Sequence, residues 1–375
     1  MPSKKKAPQK SAGVPTVYFA DIAVEALESG KTLPAKFRRM IKQFHLENRI
    51  KDKCVGIKMH FGGNLGYSTI SPLFIRILVE ELKEAGAKRI KVMDNNPKDG
   101  VARGYTAEVL GCDIVSTFGG SRKYLYKEKI GFKALDFVEF GGEAVDCDFF
   151  IDFSHIKGHG DCGFGGALKN IAMGAVPGST RAKIHSLEGG IRYKDGKCTF
   201  CLTCLKACPN GAIKPNKETR KISFFFHNCT YCQHCVMACP KGAIKMENRK
   251  FHDFAEGMAR VTDRFLKKYK PVDLLFINVL TNITIYCDCW GMTTPSLVPD
   301  IGIVAGSDIT AVETASLDLI KTENFIKQGL PKGRKLLNNK GHLFERIHGK
   351  DPYLMLRYLK KFYGGSMKYK LEEVK

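Results

Sequence analysis

Eight of the fourteen cysteines fall into two runs of one pattern, C-x2-C-x2-C-x3-C-P. The first is Cys198, Cys201, Cys204 and Cys208 before Pro209; the second is Cys229, Cys232, Cys235 and Cys239 before Pro240. A cubic iron–sulfur core takes four thiolates, and a chain turning tightly every three residues can wrap three of them around one core. The fourth cannot reach it, and in chains with two such runs it ligates the other cluster. This spacing assigns Cys198, Cys201, Cys204 and Cys239 to one [4Fe-4S] cluster, and Cys229, Cys232, Cys235 and Cys208 to a second. Zinc also takes four cysteines, but its motifs usually come as separated C-x2-C pairs.

The runs repeat with a period of 31 residues, from Cys198 to Cys229, and each continues as C-P-x-G-A-I-K. Gly211 and Gly242 permit a tight turn after each proline, and Ile213 and Ile244 can pack over a cluster. Phe200 and Tyr231 take matching places inside the runs, either screening sulfur from water or filling the core of a unit too small to bury much without metal. His227 and His234 lie beside the ligands, as surface residues or as tuners of potential. Residues 189–249 thus read as a duplicated, two-cluster ferredoxin-type domain, bounded by Gly189 and Arg249.

A second set of chemistry-bearing residues follows short apolar runs. Lys58 and His60 come with Gly62, Gly63 and Asn64. Asp94, Asn95 and Asn96 follow the next run, then His155, Lys157 and His159, then Cys287, Asp288, Cys289 and Trp290, with Asp308 after the last. The densest stretch runs from His155 to Asn170, rich in glycine ahead of a helix, whose N–H groups could face an anion, with Lys157 and Lys169 adding charge. His60, His155, Lys157, His159 and Lys169 are the candidate catalytic residues. Histidine would move protons, and the lysines suit an anionic group better than a Schiff base, because nothing in the sequence lowers their pKa. Cys287 and Cys289 are a third metal-site candidate, with His155, His159 or Cys162; the other reading is a buried turn with free thiols. Cys54, Cys112 and Cys147 read as packing residues.

Positioning these residues requires strands that end together. Cys54–Met59, Arg89–Met93, Asp148–Phe153, Val272–Val279 and Asp300–Val304 are apolar runs. Helical periods occupy Pro72–Ala85, Gly166–Met173, Asp253–Tyr269 and Thr310–Lys321. Continuous apolar strands alternating with helices indicate an α/β fold: a largely parallel sheet with helices on both faces, interrupted by the inserted α+β ferredoxin-like domain. Ligands in such sheets bind outside the carboxyl ends of the strands. The expected organisation is a disordered basic leader over 1–14, α/β segments over 15–188 and 250–329 flanking 189–249, and a basic helical tail over 330–375.

The chain of 375 residues carries 60 Lys and Arg against 38 Asp and Glu, a formal charge of +22. Two oxidised clusters with their thiolates would bring about −4 and leave roughly +18. The lysines are spread along the chain. This suits either a basic solvated surface or a dock for an acidic electron carrier such as a flavodoxin or ferredoxin. No helix-turn-helix or stacking motif supports nucleic-acid binding. No apolar run reaches membrane-spanning length and no signal core follows the leader, so the thiols read as reduced in an oxygen-poor cytoplasm. No G-x-G-x-x-G follows the first strand, and no nicotinamide or flavin is expected.

Several stretches carry a resemblance. They are K-x-H-x-G at Lys58–Gly62, the H-x-K-G-H and G-G-x-L-K-N blocks within His155–Asn170, Arg181 and His185, C-D-C at Cys287–Cys289, and D-I-G-I-V-A-G-S-D at Asp300–Asp308. Together they resemble the family catalogued as domain of unknown function 362, in the subgroup with an inserted bacterial-type ferredoxin, over nearly all of residues 15–325. The resemblance implies an iron–sulfur protein, commonly labelled an oxidoreductase, and supplies no substrate. The expected function is electron transfer through two [4Fe-4S] clusters to a small anionic substrate or a metal on the α/β rim. The alternative is a non-enzymatic carrier or cluster scaffold docking on a larger redox complex.

Overall fold

The computed structural model describes residues 13–63, 66–208, 211–225, 229, 234–246, 251–332, 334–337 and 339–375. Most of the leader, Asn64, Pro209, His227, Tyr231, Cys232 and the charged stretch ending at Arg249 lie outside the described residues.

The strands are β1 (Thr16–Asp21), β2 (Cys54–Lys58), β3 (Arg89–Asp94), β4 (Asp113–Ser116), β5 (Leu125–Phe132), β6 (Leu135–Gly141), β7 (Phe149–His155), β8 (Lys157–His159) and β9 (Gly163–Gly165). There follow β10 (Ile191–Tyr193), β11 (Ile213–Asn216), β12 (Lys221–Phe224), β13 (Ile244–Met246), β14 (Leu274–Leu280), β15 (Gly302–Gly306) and β16 (Lys370–Glu373). Eight of them make one sheet in the order β16-β1-β15-β14-β7-β2-β3-β4. Every neighbouring pair is parallel except the two that involve β15. This mixed α/β architecture matches the expected sheet.

Successive residues of the central strands face opposite sides, and both sides are apolar, so the sheet must be covered twice. Ile57, Ile151, Ile277 and Ile303 pack on one face with helices Leu33–Lys42 and Pro72–Glu84. Phe150, Phe276 and Val304 pack on the other with helices Ala167–Gly174, Phe251–Leu266, Ile309–Leu319 and Tyr353–Phe362.

Two expectations need correcting. The segment from 330 onward is not an appended tail. Leu343, Phe344, Ile347, Met355 and Leu359 are buried in the main core, and β16 adds a parallel edge strand beside β1. Its lysines mask an amphipathic period in Tyr353–Phe362. Asp308, in turn, does not reach the rim. Because β15 runs against its neighbours, its end lies at the opposite edge, where Asp308 caps helix Ile309–Leu319 by accepting from Thr310 and Ala311 N–H at 2.9 and 3.1 Å. The same reversal places the connection from β14 to β15, which carries Cys287–Trp290, along the rim.

Residues 191–246 form a small unit with its own core. β10 pairs with β13 and β11 with β12, while the short helices Thr203–Ala207 and His234–Ala238 each follow a cysteine run. Ile213, Ile222 and Ile244 are buried with Cys204 and Cys235. The repeat is visible in the backbone, since Gly211 and Gly242 sit at φ of +59° and +57°, a region costly for side chains with a Cβ.

Chain order reverses between β2 and β7: β2 leads outward to β3 and β4, and β7 leads the other way to β14. A buried carboxyl on each side of β7 fixes what packs there. Burial pushes the Asp152 carboxyl up to about 8 against hydrogen bonds from Ser154 and Asn170. Burial likewise pushes Glu313 up to about 7. Glu313 accepts from Ala167 N–H at 2.6 Å and Asn278 Nδ2 at 3.0 Å, which is feasible because a Cβ on Gly166 would stand 2.4 Å from its oxygen. Folded Glu313 therefore keeps a proton that the unfolded chain releases above about pH 4.5, and stability falls as pH rises toward 7. Glu313→Gln is expected to remove that loss, giving a urea midpoint advantage on the order of 2 kcal/mol at pH 8 relative to pH 5. Parallel pH dependences for variant and wild type would contradict it.

Candidate functional site

Two buried carboxylates organise the rim. Asp94, the last residue of β3, accepts from Lys58 Nζ at 3.1 Å, from the backbone N–H of Phe61 at 3.0 Å, and lies 3.0 Å from His60 Nδ1. Burial opposes its ionised form, but Lys58 and His60 outweigh that and hold it well below the usual carboxylate range. Lys58 is wholly buried and spends its three donors on Asp94, the Met59 carbonyl at 2.6 Å and Asn170 Oδ1 at 3.0 Å. Asn170 returns a bond to the Lys58 carbonyl at 3.0 Å and one to Asp152 at 3.1 Å.

Asp288 repeats the arrangement at the end of β7. It accepts from Lys157 Nζ at 2.6 Å and lies 2.8 Å from His155 Nδ1. Burial again opposes ionisation and is outweighed by His155 and Lys157, so the carboxyl sits well below its ordinary value. Lys157 is 1% exposed, and its other two donors go to the Ser68 carbonyl and hydroxyl, both at 2.9 Å. His155 Nε2 is engaged as well, by the Thr281 carbonyl at 2.6 Å. Here the two histidines part: His60 Nε2 is enclosed without a partner, so among the described residues it is an open acceptor steered by a carboxylate. The loop after His60 is held in turn by Arg103, which donates to the carbonyls of Phe61 and Gly63 at 2.9 and 2.8 Å.

Further along, Lys169 Nζ donates to Cys287 Sγ at 3.3 Å and Cys289 Sγ at 3.5 Å. Burial would lower the Lys169 pKa, but the thiols raise it above its ordinary value. Burial would likewise raise Cys287, yet a hydrogen bond with Cys289 and the Lys169 charge hold it well below a normal thiol. That hydrogen bond, with burial behind it, pushes Cys289 up, so the pair shares one proton.

His159 Nε2 stands 3.6 Å from Cys289 Sγ, while its Nδ1 accepts the backbone N–H of Asp161 and Cys162 at 3.1 and 3.2 Å. The ring proton is therefore on Nε2. Burial opposes a second proton and the nearby thiols favour one, but Nδ1 has no room for it. Half-buried Arg181, its pKa lowered by burial, feels Asp94 on one side and Cys289 on the other.

The donor atoms of His159, Cys287 and Cys289 lie within 4.8 Å of one another, a group that could hold a metal ion. The Lys169 ammonium between the sulfurs and the proton on His159 Nε2 both work against a cation there.

In the small unit, Cys198, Cys201 and Cys204 line one cavity together with Cys239 of the second run, closed by Phe200, Leu202, Ile222 and Ile244. Cys208 and Cys239 Sγ accept the N–H of Ala212 and Ala243 at 3.2 and 3.3 Å, at matching repeat positions. Cys229 and Cys235 are buried; Cys232 lies outside the described residues.

Of the expected rim residues, the structure brings His60, His159, Lys169, Cys287 and Cys289 to the strand ends as accessible or reactive groups, and places His155 and Lys157 in the frame beneath Asp288. The first N–H of helix Ala167–Gly174, expected to face an anion, is taken by Glu313 from within. Sequence reasoning noted Asp94 and Asp288 but did not give them the organising role. Each closes an apolar strand or faces a K-x-H or H-x-K step, and that pairing was the available signal. Cys147 packs as expected, its sulfur lying where a Cβ on Gly56 would be.

Among the described residues no helix is long and apolar enough to cross a membrane. No curated protein matches the chain. Two solved structures are similar at a low level. The lactate racemase apoprotein from Thermoanaerobacterium thermosaccharolyticum shares 16% identity over 71% of this chain and 51% of its own, with a TM-score of 0.33. A protein from Thermotoga maritima shares 10% identity over 67% of this chain and 50% of its own, with a TM-score of 0.36. The chain spans about half the length of each, and neither likeness carries a functional argument. The family model described as Domain of unknown function (DUF362) matches residues 55–318, which include both carboxylate-centred groups and the cysteine pair, and the chain belongs to that family.

Proposed function

We propose that this protein is an iron–sulfur oxidoreductase in which residues 189–249 form a two-cluster ferredoxin-type domain serving a redox site on the α/β rim. The observation that carries the proposal is the cavity shared by Cys198, Cys201 and Cys204 with Cys239 from the other run, which is the crossed ligand set expected of two [4Fe-4S] sites. The surroundings fit. The walls are apolar, and the Cys208 and Cys239 sulfurs accept backbone N–H groups, an arrangement that stabilises thiolate-bound, negatively charged clusters. When bound, such clusters exchange single electrons.

The rim supports an enzyme over a simple carrier. Burying Lys58, Lys157, Asp94 and Asp288 together is expensive, and an electron carrier has no use for it. The same frame aims His60 as a proton donor or acceptor, with Asp94 fixing its tautomer, and leaves Arg181 and Lys169 to favour a small anionic substrate. Lys157 orients Asp288 and does not meet substrate. The net charge of +22 suits an acidic electron-carrier protein as partner, in an oxygen-poor cytoplasm.

Anaerobically prepared protein should contain about eight irons and eight sulfides per chain and give a coupled paramagnetic signal on reduction, with Cys239→Ser losing about half of the iron. A colourless, iron-free chain carrying zinc would overturn the proposal. Lys157→Met should cost about 3 kcal/mol in unfolding free energy by stranding Asp288, with partial recovery in Lys157→Met/Asp288→Asn. A single variant as stable as wild type would remove the orienting role.

A further inference from the structure

The frame of the rim makes no use of the two thiols in the turn after β14. They are two residues apart, with sulfurs no more than 4.8 Å from each other, so side-chain rotation can bring them to the roughly 2.05 Å of a disulfide bond. Cys287 is buried and Cys289 only partly so, which leaves Cys289 as the sulfur an incoming molecule meets and Cys287 as the one behind it. Lys169 holds a positive charge 3.3 and 3.5 Å from the two sulfurs. His159 presents an N–H to Cys289, because its other nitrogen already receives two backbone donors. A cation and an N–H donor beside a thiol favour the thiolate nucleophile, and the same two groups occupy the directions from which a metal ion would need a lone pair.

We infer that Cys287 and Cys289 are a redox-active dithiol that cycles between two thiols and an intramolecular disulfide by exchange with small disulfide compounds at the rim. This rests on the reading of the rim as a redox site and names the group that takes two electrons there; it needs no iron. In the oxidising direction the Cys289 thiolate attacks one sulfur of an external disulfide R–S–S–R. The Cys289–S bond forms as the R–S–S–R bond breaks, and one R–S⁻ leaves. Cys287 then attacks Cys289 Sγ, closing the intramolecular disulfide and expelling the second R–S⁻. The two protons of the original thiols pass to the leaving thiolates, through Lys169 and His159, so two cysteine thiols are oxidised as one external disulfide is reduced to two thiols. The reverse reaction, driven by a small dithiol, restores the pair.

The test uses the full-length protein under anaerobic conditions, equilibrated with glutathione disulfide and glutathione at varied ratio, then quenched by alkylation and analysed as peptides by mass spectrometry. The expected result is a Cys287–Cys289 link, two hydrogens lighter than the dithiol, that dithiothreitol reverses, and Lys169→Gln should slow its formation about tenfold. Two cysteines that stay separately alkylated at ratios that oxidise free dithiothreitol would overturn the inference. So would stoichiometric zinc binding that protects both thiols and disappears in Cys287→Ser. Iron and sulfide measured on the same sample separate the two claims: a full iron content without the disulfide removes only the dithiol, and a reversible disulfide in an iron-free chain removes only the clusters.

Discussion

Two carboxylates buried at the ends of parallel strands hold this rim together, and each is neutralised in the same way. Asp94 lies between Lys58 and His60, which flank one residue at the end of β2; Asp288 lies between His155 and Lys157, which flank one residue at the end of β7. A buried carboxylate without partners is costly, and so is a buried ammonium. Neither group could be taken from water alone. Adjacent parallel strands bring both signs to one edge, and the short connection from β14 to β15 delivers Asp288 to the second lysine. The arrangement is symmetrical except at one atom: His155 Nε2 meets the Thr281 carbonyl and His60 Nε2 meets nothing among the described residues. A paired scaffold with one open nitrogen is an economical way to aim a proton-handling group.

Much of the fold was legible because the central strands are apolar on both faces. Runs such as DFFIDF and VDLLFINV exclude a half-solvated sheet, and the helices between them follow. What escaped were elements whose side chains carry little of that signal. The β5–β6 hairpin alternates charged with half-buried residues, β16 is a fully exposed KLEE at the sheet edge, and the lysine-rich end of the chain concealed buried Leu356 and Leu359. The direction of β15 was invisible in its composition, since an antiparallel strand in the middle of a sheet is as apolar as a parallel one. That single reversal moved Asp308 to the far edge.

The rim was legible as a set of residue types and much less so as a set of roles. Strand ends correctly gathered His60, His159, Lys169, Cys287 and Cys289. Sequence could not show that Lys157 spends all its donors inward, because that depends on Ser68 and Asp288, 89 and 131 residues away. Nor could it show that Glu313 occupies the helix N-terminus from within. In the small unit the reverse holds: cysteine spacing alone anticipated which four thiols share a cavity, because covalent reach leaves few alternatives.

The central claim is that one polypeptide combines two one-electron sites with a two-electron dithiol on the rim. Anaerobic coulometric titration of the fully oxidised protein counts them directly. About four electrons per chain are predicted, two taken up one at a time by the clusters and two together by the disulfide; uptake that stops at about two would contradict the account.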